Sequence, residues 1–161
     1  FTPLHMGPGI VVKAVMRNSF SLVVFGGSQI AIDIQPMLVM LGYKGELHGF
    51  SHTIFGATLI GLLCGFAGKP VGELLLRMIR EPKYCLISWR VSFVSAFIGT
   101  YSHIFIDSIM HSDVMPFLPF STASALYALM SIEALHVWCL VSAVVGGLVY
   151  FGIERIKYKK T

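Results

Sequence analysis

The chain reads as an all-α polytopic membrane helical bundle, and three observations say so. Hydrophobic residues make up 55% of its 161 positions and charged residues only 12%, about half the charged share of an ordinary soluble domain. The mean hydropathy of +0.76 is hard to reconcile with a water-covered surface. Apolar runs that approach or reach spanning length recur four times, and the basic residues gather at their ends. The length suits one integral membrane domain over 1–161. A net charge of +4 placed this way speaks for membrane topology and against nucleic acid as a partner.

The elements follow in order. A short apolar piece at about 4–16 can cross only part of a bilayer, and its start lacks the basic, apolar and cleavable regions of a signal peptide. The first full run is 18–42, "NSFSLVVFGGSQIAIDIQPMLVMLG", in which Pro36 is expected to kink the helix and open its backbone near Asp33. The second run, 48–67, carries Gly61 and Gly65, a small-xxx-small pair suited to close helix packing. Between it and the third run, Leu74, Leu75, Met78 and Ile79 alternate with Glu73, Arg77 and Arg80. That pattern fits an amphipathic interfacial helix or a plain connecting one. The third and fourth runs are 88–111 and 122–153. Cys64, Cys85 and Cys139 are scattered and fit buried small hydrophobes better than a disulfide or zinc framework.

Lys13 and Arg17 precede the first full run. Lys69, Arg77, Arg80, Lys83 and Arg90 lie between the second and third, and Arg155, Lys157, Lys159 and Lys160 end the chain. An up-down-up-down path puts all three clusters on one side, which the positive-inside rule makes the cytoplasm, C-terminus included.

Depth follows from the helical rise. Counted from the basic ends, Asp33, His52, His103 and His136 all come at about 22 Å, and His48, Asp107 and Glu133 at about 27–28 Å. His5 reaches about 18 Å on the short first helix. One polar layer of His, Asp and Glu thus lies in the outer part of the membrane, at a level without Lys or Arg. Such groups are costly in hydrocarbon and face a partner or a wet cavity. A divalent ion would supply the missing positive charge, and imidazole with carboxylate suits zinc first, then manganese or iron.

The motifs divide this layer. "HGFSHT" places His48 and His52 at i, i+4, which on a helix aims both rings to one side; the alternative is a polar helix start. "SHIFID" gives His103 and Asp107 the same spacing, either as ligands or as a carboxylate orienting a ring. His111 extends the stripe but stands about 12 Å from His103 along the axis. It therefore belongs, with Asp113, to a second ion or to the mouth of the site. Glu133 and His136 form one E-x-x-H pair, where di-iron bundles need two.

On these residues the chain resembles the YdjM-like inner-membrane proteins, described as metal-dependent hydrolases. The match runs in one order: His5, Asp33, "HGFSHT", "GTYSHIFIDS" and the turn "MPFLPF". It departs where the family carries a second acid and this chain has Gln35. More distantly, the succession is similar to the helical zinc phospholipase C and P1 nuclease group. The resemblance implies metal ligation by His5, Asp33, His48, His52, His103 and Asp107. It also implies hydrolysis of a lipid or lipid-linked phosphoester, with Asp107 or Asp113 taking the proton. The rival expectation is a non-catalytic metal-binding or structural subunit of a larger membrane complex, which Gln35 and the small loops favour. An ion or proton conduit through the same residues is a third.

Overall fold

Serine and threonine hydroxyls mark where several of the helices begin. Ser21 Oγ accepts from Val24 N at 3.4 Å, Thr53 Oγ1 from Gly56 N at 2.9 Å, Ser88 Oγ from Val91 N at 3.2 Å and Ser131 Oγ from Ala134 N at 3.2 Å. Each satisfies one of the amides that a helix start leaves unpaired. In the computed structural model, which describes residues 3–79 and 86–158, six α-helices follow. They are α1 (Gly7–Met16), α2 (Leu22–Ile32), α3 (Ile34–Met40), α4 (Ile54–Ile79), α5 (Trp89–Met110) and α6 (Ile132–Tyr158). Four stretches are long and apolar enough to cross a membrane: Leu22–Met40, Ile54–Ile79, Trp89–Met110 and Ile132–Tyr158. Arg80, Lys83, Cys85, Lys159 and Lys160 lie outside the described residues.

The first span is broken where proline chemistry requires it. Pro36 has no N–H to offer the carbonyl four residues back, so the α2 ladder stops at Ile32. Asp33 turns between α2 and α3 at φ −80° and ψ 0°, and its N–H bonds back to Ile30 O at 3.1 Å. The break presents Asp33 to the interior.

The separate interfacial helix expected after the second run is instead the last part of α4. At 26 residues α4 is about 39 Å long, some 10 Å more than the hydrocarbon core. A single helix can therefore cross and still carry Lys69, Glu73 and Arg77 into the interface. Pro70 lies inside it without ending it.

Helices α4 and α5 pack closely along Gly61 and Gly65, where a methyl would meet the rings of Phe97 and Phe93. Ser92 Oγ donates to Gly65 O across that seam at 2.7 Å. Helix α2 lies against α4 and α5, and α1 runs along α6. At one end of the bundle, Arg17 pairs with Glu154 and stacks over Tyr150, and Lys69 donates to Ile87 O. The α2–α3 junction, the start of α4 and the end of α5 meet at the other end, and there the polar layer gathers.

Candidate metal centre

Three elements deliver four side chains to one point. Asp33 comes from the α2–α3 turn, His103 and Asp107 from successive turns of α5, and His52 from the residue pair before α4. All four are buried, and one ligand atom of each lies within 4.8 Å of the others. His103 Nε2 is 3.0 Å from Asp107 Oδ2 and 3.2 Å from Asp33 Oδ1. His52 Nε2 makes a hydrogen bond with Asp107 Oδ2 at 3.1 Å and lies 3.7 Å from Asp33 Oδ1. Tetrahedral ligands at zinc–nitrogen and zinc–oxygen bond lengths stand about 3.3 Å apart. Four edges of the group bracket that separation.

The orientation matters as much as the spacing. Despite its two close oxygens, His103 Nε2 makes no hydrogen bond of good geometry among the described residues. The rings of His52 and His103 are inclined by 67°, as convergent ligands are and stacked ones are not. The outer nitrogen of His52, Nδ1, is 2.9 Å from Ser51 Oγ, the kind of contact that fixes the ring and tautomer of a ligating histidine. His52 and His103 are 0% and 1% exposed, and no Lys or Arg is among the residues that line the adjoining cavity. The donor set and its geometry fit a divalent cation.

His5 stands beside this group. Its Nδ1 is 3.5 Å from Asp107 Oδ1, the other oxygen of that carboxylate, and its ring meets His103 edge-on at 5.3 Å. Gln29, buried in the middle of an apolar run, donates to His5 O at 3.3 Å and holds the N-terminal turn in place. A glutamine amid hydrophobic residues was the available signal for that role.

His48 goes elsewhere. Its Nδ1 is 2.9 Å from Asp113 Oδ2, and its ring stacks on His111 at 4.4 Å and 27°. His48, His111 and Asp113 form a second, less buried group. The helical i, i+4 geometry expected for His48 and His52 does not form, because Thr53 is extended and caps α4, which leaves both histidines ahead of the helix. The stripe on α5 likewise ends early: His111 is extended (φ −120°, ψ 124°) and swings off the helix toward His48. Burial alone would raise the Asp113 carboxyl, but the His48 hydrogen bond and that ring's charge outweigh it and hold it below the ordinary range. Burial holds the His111 imidazole below its usual value, and His48 pushes the same way.

A cavity of about 210 Å³ joins the two groups, lined by His5, Asp33, His48, His103, Asp107 and His111 with apolar neighbours. Asp113 is not among its lining residues and reaches it through His48. Glu133 is exposed at the start of α6, and neither it nor His136 joins either group.

Residues 12–159 match the model of a family described as YdjM inner membrane protein. No curated protein and no solved structure matches the chain.

Proposed function

The chain belongs to the YdjM inner membrane protein family, and from that premise we propose that it is a membrane-embedded, metal-dependent hydrolase of a lipid or lipid-linked phosphoester. The observation that carries the reading is the convergence of Asp33, His52, His103 and Asp107, with four nitrogen–oxygen separations between 3.0 and 3.7 Å. These four hold the ion, zinc first by donor chemistry, and His5 steadies Asp107 from the side. When bound, such an ion supplies Lewis-acid polarisation of a phosphoryl oxygen and activation of water.

The chain's own residues do the rest. Asp107 is engaged on both oxygens by His52, His103 and His5, so it is poorly placed to take a proton. Asp113 can do so only by orienting His48, whose ring lines the cavity. A separate apolar groove of about 320 Å³, which shares no lining residue with the polar cavity, is lined by Ile54, Tyr101, Ile104, Phe105, Phe117 and Leu126. Ile104 and Ser108 line it one residue after His103 and Asp107, roughly 100° round α5 from the ligands, so a hydrocarbon chain held there would have to pass round the helix end for its head group to reach them. The basic end of the bundle, with the C-terminus, is assigned to the cytoplasm by the positive-inside rule.

A second reading has one observation of its own. Four protein donors are the mark of a closed structural ion, whereas catalytic sites keep an open position. On that reading the ion ties α2, α5 and the start of α4 together in a membrane subunit without turnover. The likeness to the zinc phospholipase C group bears on the enzyme reading alone.

Metal analysis of detergent-purified protein, followed by bis(p-nitrophenyl) phosphate turnover, tests both. One ion per chain, lost in His52→Ala and Asp107→Asn, is required by either reading. Turnover by the loaded wild type selects the hydrolase, and a bound ion without turnover selects the structural subunit. Wild-type protein that takes up no ion refutes both.

A further inference from the structure

A helix would space His48 and His52 by its own backbone, but neither histidine lies in an α-helix. His48 occupies a turn and His52 closes the short 3-10 turn Phe50–His52. The loop therefore lacks the regular backbone ladder that would fix two side chains four residues apart.

Part of the hold comes from local backbone turns, with His52 N donating to Gly49 O at 3.0 Å and Thr53 N to Phe50 O at 3.1 Å, and one side chain adds two further bonds. Gln35 Oε1 accepts from the Ser51 N–H at 2.8 Å, and Gln35 Nε2 donates to the Glu46 carbonyl at 3.2 Å. These two anchors bracket His48 and stop one residue short of His52. Ser51, held by its backbone, turns its own hydroxyl to His52 Nδ1 at 2.9 Å. Gly49 seats the amide from below: a methyl there would collide with Gln35 Nε2.

We propose that Gln35 is a positioning residue of the metal centre, clamping the 46–51 loop so that His52 meets the ion and His48 faces the cavity. The assignment rests on the metal reading above. The amide satisfies both anchors because it carries a donor and an acceptor on one planar group. A carboxylate at 35 could accept from Ser51 but would face the Glu46 carbonyl with a second acceptor.

The test uses full-length protein in detergent, with zinc affinity by chelator competition, the visible spectrum of the cobalt-loaded form, and hydrogen exchange of the 46–53 amides in the apo form. Gln35→Ala is expected to weaken zinc about 10- to 100-fold, the range for lost outer contacts. It should also alter the cobalt bands and speed loop exchange, while melting shows the bundle intact. Gly49→Ala, which displaces the amide with Gln35 present, should do the same, and the double variant should lose clearly less than the sum of the two single losses. If Gln35→Ala does not fold, Gly49→Ala carries the test.

Wild-type zinc affinity in both single variants, or losses that simply add in the double variant, overturns the proposal. If the wild type binds no ion, the metal reading falls, and loop exchange decides the clamp by itself. Unchanged exchange in Gln35→Ala then overturns it, and faster exchange upholds it.

Discussion

His103 Nε2 stands 3.0 Å from Asp107 Oδ2, one helical turn along α5, without the geometry of a hydrogen bond between them. A pair meant only to share a proton would close that angle, since the net gain of a buried hydrogen bond depends on alignment. A pair that shares an ion has no such need, because both lone pairs point at a third position. Asp107→Asn keeps the volume and removes the anionic ligand. It is expected to cut zinc affinity at least 100-fold by equilibrium dialysis, and Asp107→Glu to restore only part of it, since the longer side chain misplaces the oxygen.

The ion should also be visible as stability. A ligand that binds only the folded state stabilises it by about 4 kcal/mol at a thousandfold excess over its dissociation constant. Treatment with a strong chelator is therefore expected to lower the melting temperature in detergent by several degrees, and re-addition of zinc to restore it. In His103→Ala the two melting curves should coincide with and without zinc, and a persistent zinc shift would remove His103 from the ligand set.

The His48–Asp113 pair predicts a different phenotype from the four-donor group. Asp113 lies behind His48 and outside the cavity lining. Asp113→Asn should leave one ion per chain while lowering turnover of a phosphodiester about 10- to 100-fold, in keeping with loss of a carboxylate that orients a histidine. Loss of the ion in this variant would place Asp113 in the metal shell.

Acidification should loosen the mouth in two stages. The His111 pKa is lowered by burial, so the fold favours the neutral ring. The contribution is complete above about 6.5 and is lost as pH falls from there through the lowered value. The Asp113 pKa is lowered too, by its bond to His48, so its contribution holds above about 3.9 and fades below it. Both losses run toward acid. Hydrogen exchange of the Val114 amide, which bonds to His111 O at 3.4 Å, should quicken in the upper window, and His111→Ala should remove that first stage.

Much of this was legible in the amino-acid order, and the gaps have physical causes. Hydropathy and basic ends gave the four spans, and Pro36 gave the break that exposes Asp33. The i, i+4 pair His103 and Asp107 lies wholly within α5, where backbone geometry carries over from spacing alone. His48 and His52 share that spacing, but Thr53 is an N-cap, and a cap decides on which side of the helix start a motif falls. The partner of His48 lies 65 residues away at Asp113, a tertiary fact that no local period encodes. The departure at Gln35 was legible as an anomaly. Its two bonds to Glu46 and Ser51 show what the amide does there.

The apolar groove along α5 yields the last prediction, which bears on what enters the site. Ala125 lines the groove from the connection before α6 and is exposed, so a larger side chain there fills the groove without overpacking the core. If the groove receives a hydrocarbon chain, Ala125→Trp should raise KM for a long-chain lipid phosphoester about tenfold or more. Several buried methylenes at about 0.8 kcal/mol each are enough for that loss. Turnover of bis(p-nitrophenyl) phosphate, which has no such chain, should stay at the wild-type rate. Equal losses on both substrates would mean that the tryptophan disturbs the centre itself. An unchanged KM for the lipid would mean that the chain lies elsewhere.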